Sequence, residues 1–157
     1  MGKIEFRCDF QVYSSEKELS AADKELLKKA CDAGKNAHAP YSGFHVGAAA
    51  LMEGGNIIMG NNQESVAFPS GLCAERVLLF RILSEFPNEK VLALAVYCRS
   101  EKNLIKTPQT PCGACRQIIA ETEQRQKQSF RMLLQGERGP VWEFKSGSDL
   151  LPYPFSL

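Results

Sequence analysis

Long hydrophobic runs are missing from this 157-residue sequence. No stretch approaches the ~18 apolar residues that a membrane-spanning helix requires. Met1 to Phe10 alternates charged with apolar residues and lacks the uninterrupted apolar core of a signal peptide. Gly2 follows Met1, but Phe6 stands where a myristoylation motif carries Ser or Thr. There is no Asn-x-Ser/Thr sequon and no low-complexity tract. Excess charge of one sign is missing too: 19 Lys and Arg against 18 Asp and Glu leave +1. That gives no electrostatic reason to expect a nucleic-acid or membrane-surface protein. What is present is the composition of a globular protein, 44% hydrophobic and 24% charged. The length favours one domain. A chain of this size buries roughly 68–70% of its unfolded surface and needs no disulfide staples. The expectation is a cytoplasmic protein in a reducing compartment. Its six cysteines are then thiols or metal ligands.

The six differ in their surroundings. Cys8 belongs to the period-two run Ile4, Phe6, Cys8, Phe10, Val12, the pattern of a half-buried strand, in which it reads as a small apolar filler. Cys31 shares a helical face with Leu27, Ala30 and Gly34. Cys98 ends the apolar run from Val91. Both read as packing residues. The other three form a pattern: Pro111-Cys112-Gly-Ala-Cys115, with Cys73-Ala74-Glu75 upstream. A lone C-x-x-C is ambiguous between half a structural zinc site, a redox pair and nothing. A redox pair sits after the first strand of a thioredoxin-like unit, whereas this one follows four strand-like segments. A structural zinc site uses four protein ligands, and there is no second knuckle. His38 and His45 have no cysteine-rich neighbourhood. Three cysteines with one open position is the arrangement of a catalytic zinc, whose fourth position holds water. Cys73-x-Glu75 with Pro111-Cys112-x-x-Cys115 matches the known signature of the zinc-dependent deaminases, in which the Glu is not a ligand.

The coarse organisation is strand 3–13, helix 20–37, strand 44–52, strand 56–60, helix 74–86, strand 91–98, helix 113–124, and strands 130–135 and 140–144. Ser20 with Asp23 resembles a capping box. Pro40 follows the end of the first helix. Gly54-Gly55 marks a hairpin. Ser148–Leu151 reads as one helical turn. Such an order gives a mixed sheet with helices on its faces. Cys73 falls before one helix, and Cys112 and Cys115 open another. Three thiolates around a divalent cation leave one net negative charge, and helix N-termini oppose it. Arg76 and Arg116, each directly after a motif, are expected to donate hydrogen bonds to the thiolates and offset more.

At these residues the chain resembles the small, homotetrameric, zinc-dependent cytidine deaminases, from about residue 22 to 157. The shared blocks run from Ala39-Pro40-Tyr41-Ser42-Gly43-Phe44 to Gly47-Ala48-Ala49. They continue with Gly60-Asn61-Asn62-Gln63-Glu64, Gly71-Leu72-Cys73-Ala74-Glu75-Arg76 and Pro111 through Gln117, and close with Leu150-Leu151-Pro152 before Phe155. The resemblance implies a three-layer α/β/α sandwich around a mixed five-stranded sheet, with residues 21–157 as the catalytic domain and 1–20 as an extension. It implies one Zn²⁺ per chain on Cys73, Cys112 and Cys115, and Glu75 as proton shuttle. Asn62 and Glu64 would hold the ribose hydroxyls, Phe44 would stack near the pyrimidine, and the Ala74 backbone N–H would bind the ring carbonyl. Phe155 would cover the base in a neighbouring subunit's site, so the partners are a nucleoside and further copies of the chain. Two positions depart from many members: Ser65 stands in place of Asn, and Phe68 in place of Tyr. They leave the choice between cytidine, deoxycytidine and a modified nucleoside open.

The implied reaction is hydrolytic deamination of cytidine or deoxycytidine in pyrimidine salvage, with ammonia released. A same-fold deaminase of a blasticidin-type nucleoside is the second enzyme reading, and Asn62-x-Glu64 argues against it. An editing deaminase acting on a polymer would need Lys/Arg contacts to phosphate, and basic clusters are absent. The rival from another class is a zinc-stabilised binding protein without turnover, for which Glu75 would be dispensable.

Overall fold

A computed structural model describes residues 2–156; the outermost residues of the two expected segments, 1 and 157, lie outside the described residues. Helix α1 (Ala21–Gly34) starts where the capping box places it: Ser20 Oγ accepts from the Asp23 backbone N–H at 3.1 Å. The chain then forms β2 (Phe44–Met52) and β3 (Ile57–Asn61), joined by the glycine turn in which Gly55 takes φ +84°. Helix α2 (Ala74–Glu85), β4 (Val91–Ser100), α3 (Gly113–Gln126), β5 (Arg131–Gln135) and β6 (Val141–Phe144) follow. A single 3-10 turn at Gly147–Leu150 precedes the tail, and β1 (Phe10–Tyr13) precedes α1.

The sheet order is β1-β6-β5-β4-β2-β3, with β4 and β5 parallel and the other pairs antiparallel. The expected five strands are β2 to β6, and β1 adds a sixth at the edge. The expected strand over 3–13 is thus corrected to four residues. The reason is the partner: β6 offers only Val141–Phe144 for pairing. Cys8 is corrected as well: it lies before the paired residues of β1 and is exposed rather than packed as a filler.

Alternation along the central strands builds the layers. Leu94 and Val96 of β4 point into a core shared with Leu78, Leu79 and Ile82 of α2 and Ile119 of α3. Ala93 and Ala95 point the other way, with Ala49, toward Leu26, Leu27 and Ala30 of α1. The α1 face carries small residues because the helix lies very close. A Cβ on Gly47 would stand 1.9 Å from the Ala30 carbonyl oxygen, so only glycine fits.

Glu123 of α3 is a buried carboxylate that no sequence pattern singled out. It accepts from the backbone N–H groups of Phe130 (3.0 Å), Gly147 (2.9 Å) and Ser148 (3.1 Å), and from the hydroxyls of Ser146 (2.7 Å) and Ser148. It fixes both the turn into β5 and the 3-10 turn before the tail. Glu123→Ala strands the buried Phe130 and Gly147 donors, each at roughly 1–3 kcal/mol. The expected loss is about 3 kcal/mol, read as a lower urea midpoint of the zinc-loaded protein. A loss below about 1 kcal/mol would contradict this role.

Candidate active site

Two helix N-termini meet at one end of the sheet. Cys73 is the N-cap of α2 and Cys112 the N-cap of α3, with Cys115 one turn inside α3. Neither cysteine side chain caps its helix, so the sulfurs are free to face one another. Cys73 Sγ lies 3.7 Å from Cys112 Sγ, and Cys112 Sγ 3.5 Å from Cys115 Sγ, with all three within 4.8 Å. Tetrahedral Zn–S bonds of ~2.3 Å set sulfurs ~3.8 Å apart, so the trio fits a zinc ion without rearrangement. Among the described residues it is the one His/Cys/Asp/Glu group so arranged.

The electrostatics agree with that fit. The Cys73 thiol is pulled down, first by a hydrogen bond from Cys115 and further by Cys112 and Arg76. Cys115 is pushed up, because its proton serves Cys73 and because it is buried beside Glu75. Arg76 donates weakly to the Gly71 carbonyl (3.4 Å), and its Nε is buried without a partner. That orphaned N–H suits a deprotonated, metal-loaded cluster better than neutral thiols. Arg116 does not fill the expected role, and its contact with the thiolates is corrected. Its guanidinium is spent on the Pro111 carbonyl (2.8 Å), the Leu150 carbonyl (2.9 Å) and Thr110 Oγ1 (2.9 Å). It therefore anchors the segment entering the Cys112 knuckle to the 3-10 turn. Sequence proximity to Cys115 could not reveal Leu150 as its partner.

A pocket of about 630 Å³ opens above the cluster. Cys73, Cys112 and Glu75 line its floor, Phe44, Val46, Val96 and Cys98 its inner wall, and Tyr41, Ser42, Asn62, Glu64 and Phe68 its mouth. Glu75, in the first turn of α2, is only 4% exposed. Burial raises its carboxyl to about 7, with further push from Cys73. A proton is thus gained and lost there at nearly equal cost around neutrality. Burial also pushes the Cys98 thiol up, to about 11, so it remains neutral packing in the wall.

Glu64 accepts from the backbone N–H groups of Tyr41 (2.9 Å) and Ser42 (3.3 Å). Ser42, through its side chain first, and then these N–H groups hold its carboxyl below the ordinary range. The mouth therefore carries a fixed carboxylate, an acceptor for hydroxyls. Asn62 is buried, and its amide is mostly committed: Oδ1 accepts from Val46 N–H (2.8 Å) and Nδ2 donates to the Phe44 carbonyl (2.9 Å). One amide N–H remains for a ligand. Its main effect is to lock the β2 edge that carries Phe44. Ala74 is buried at the start of α2, where helix N–H groups have no intrahelical partner. Phe68 packs edge-on against Tyr41 at 5.7 Å, and Ser65 Oγ accepts from Ala67 N–H.

Phe155 stands apart. It is 71% exposed and does not line this pocket. Its backbone is gripped from both sides by Gln117, whose Nε2 donates to the Phe155 carbonyl (2.8 Å) and whose Oε1 accepts the Phe155 N–H (3.0 Å). Gln109 and Thr110 also line the pocket, and sequence reasoning missed them. Their only signal is their place just before Pro111. His45 Nε2 pairs with Glu101 Oε1 at 2.9 Å.

Comparison with known proteins places this geometry among relatives. A sequence model described as "Cytidine and deoxycytidylate deaminase zinc-binding region" matches residues 20–130. A cytidine deaminase of Halalkalibacterium halodurans is 39% identical over 131 residues, covering 83% of this chain and 92% of its own. The crystal structure of cytidine deaminase from Burkholderia pseudomallei superposes with a TM-score of 0.71 at 33% identity, over 84% of this chain and 98% of that one. The Mycobacterium tuberculosis cytidine deaminase superposes with a TM-score of 0.63 at 30% identity, over 88% and 100%.

Proposed function

This chain belongs to the cytidine and deoxycytidylate deaminase zinc-binding family, and from that membership we propose that it hydrolyses cytidine, deoxycytidine or both to the uracil nucleoside and ammonia. The observation that carries the reading is Glu75, a buried carboxyl set against three converging thiols on the floor of a nucleoside-sized pocket. Cys73, Cys112 and Cys115 hold one zinc ion, which supplies Lewis-acid activation of water at neutral pH. Ionised Glu75 takes one proton as the water oxygen adds to the ring carbon that bears the amine. It passes that proton to the adjacent ring nitrogen. It then takes the second water proton and delivers it to the amine as the C–N bond breaks. Water and the aminopyrimidine become the carbonyl and ammonia, and Glu75 ends as it began.

The remaining groups position the substrate. The free N–H of Ala74 meets the ring carbonyl, and Phe44 packs on the ring. Glu64, held ionised at the mouth, accepts from ribose hydroxyls, helped by the one uncommitted N–H of Asn62. Arg76 offsets thiolate charge. Residues 21–157 form the catalytic domain and 1–20 an extension. The setting we assign is pyrimidine salvage in the cytoplasm. Separately, a chain of net charge +1 suits a small neutral substrate better than a polyanion. No helix among the described residues is long and apolar enough to cross a membrane.

The test is the change in ultraviolet absorbance on mixing the protein with cytidine, deoxycytidine, a 2′,3′-dideoxy analogue and free cytosine. Rapid change with at least one of the first two, and little with cytosine, is expected. Unaltered absorbance with every nucleoside rejects the enzymatic reading.

The site is completed in a homotetramer, with Phe155 donated by a neighbouring copy. Its exposure outside its own chain's pocket and the double grip of Gln117 support this. Deleting residues 152–157 should raise KM severalfold while zinc content stays at one per chain. An unchanged KM would return Phe155 to a role as tail anchor.

A further inference from the structure

Residues 3–9 are used by neither the sheet nor the pocket. They lead into β1 but pair with no strand among the described residues. Lys3 Nζ reaches Glu5 Oε1, two residues on, at 2.7 Å, so these two charges lie together on one side of the segment. One side of the segment is apolar and uncovered: Ile4 is 79% and Phe6 51% exposed, and Cys8 is exposed. This stripe runs on into Phe10, whose ring lies 4.9 Å from Phe144 and 5.1 Å from Trp142. The other side reads Lys3, Glu5, Arg7, Asp9, with strictly alternating sign. An extended segment with open N–H and C=O groups, an apolar face and no proline is a template for another strand.

The charges say which strand. In an antiparallel pair, directly opposite residues share a face, and opposite charges there stabilise while like charges repel. Pairing this segment with itself about a two-fold axis through Phe6 sets Lys3 opposite Asp9 and Glu5 opposite Arg7, and the symmetry repeats both pairs. Phe6 then meets Phe6, and Ile4 meets Cys8. The neighbouring registers fail. A slip that moves the axis by half a residue opposes charged to apolar side chains. A slip by a whole residue sets Lys3 against Arg7 and Glu5 against itself. We propose that residues 3–9 form an antiparallel strand pair with the same residues of a second copy, centred on Phe6. This contact is isologous, lies at the sheet edge that β1 occupies, and uses none of the pocket residues.

Cysteine cross-linking of the full-length, zinc-loaded protein tests the register. In a Cys8→Ser background, Phe6→Cys places the two thiols directly opposite, so mild oxidation with diamide should give a covalent dimer through position 6. Ile4→Cys in the same background should stay unlinked, because its mate is now Ser. Equal linking of both, or of neither, overturns the proposal: the first means an unstructured tail, the second a segment that stays with its own chain. Charge reversal tests the partner. Adding Lys3→Glu and Arg7→Glu to the Phe6→Cys variant should cut linking about tenfold. Mixing it with the Glu5→Lys, Asp9→Lys counterpart should restore linking between unlike chains. Linking that ignores the reversal, or a mixture that fails to recover, refutes charge-directed self-pairing.

Discussion

Glu75→Gln is expected to leave zinc in place and to lower kcat by about 100- to 10,000-fold, the range for a lost general acid–base. Glutamine has the same shape and can still donate a hydrogen bond in the 4%-exposed slot at the start of α2. It cannot carry a proton from water to ring nitrogen to amine. Burial raises the native carboxyl to about 7, so both of its forms are accessible at working pH, and the amide removes both. Because the loss falls on the transition state, kcat and kcat/KM should drop together with KM little changed. Glu75→Ala should behave alike. The measurements are ammonia release and zinc per chain. A variant that releases ammonia at the native rate would sink the proton-shuttle role and favour a zinc-stabilised binding protein.

Removal of the metal should act on activity and stability at once. A ligand present at ~1,000 times its Kd stabilises a fold by ~4 kcal/mol. For a chain of this length that amounts to a Tm difference of about 10 °C. Chelator-treated protein should therefore melt about 10 °C lower and have no turnover, with both restored by zinc. The layered core does not depend on the ion, so hydrogen exchange should rise at the starts of α2 and α3 while β2 and β4 stay protected. Cys112→Ser and Cys115→Ser should reproduce the apo state. A fully metallated Cys115→Ser protein would contradict the ligand set. Zinc uptake should also release protons, the one held by Cys115 above all, so acidification weakens binding.

Features built from neighbouring residues were legible in the sequence. The Ser20–Asp23 cap, the Gly54-Gly55 turn and the placement of the cysteines at helix starts each depend on a few consecutive positions, and each stands where expected. Features that depend on a remote partner were not. Arg116 looked like a neighbour of sulfur, but it donates to the Leu150 carbonyl, 34 residues further along the chain. Asn62 looked free for a sugar, but β2 claims most of its amide. Glu123 carried no signal in the sequence, yet the loops before β5 and after β6 fold onto it. The period-two run over 3–13 has the right pattern for a strand, yet only Phe10–Tyr13 finds a partner in β6.

The sequence by itself determined the chemistry. Three thiols and one carboxyl at those spacings admit few readings, because ligand type and proton capacity belong to the residue. Only the tertiary structure decided how those groups are held. A donor or acceptor pairs with whichever partner packing brings within about 3 Å, and packing joins segments that are distant in the chain. The convergence of Cys73 with Cys112 and Cys115, the burial that tunes Glu75 and the diversion of Arg116 all come from that.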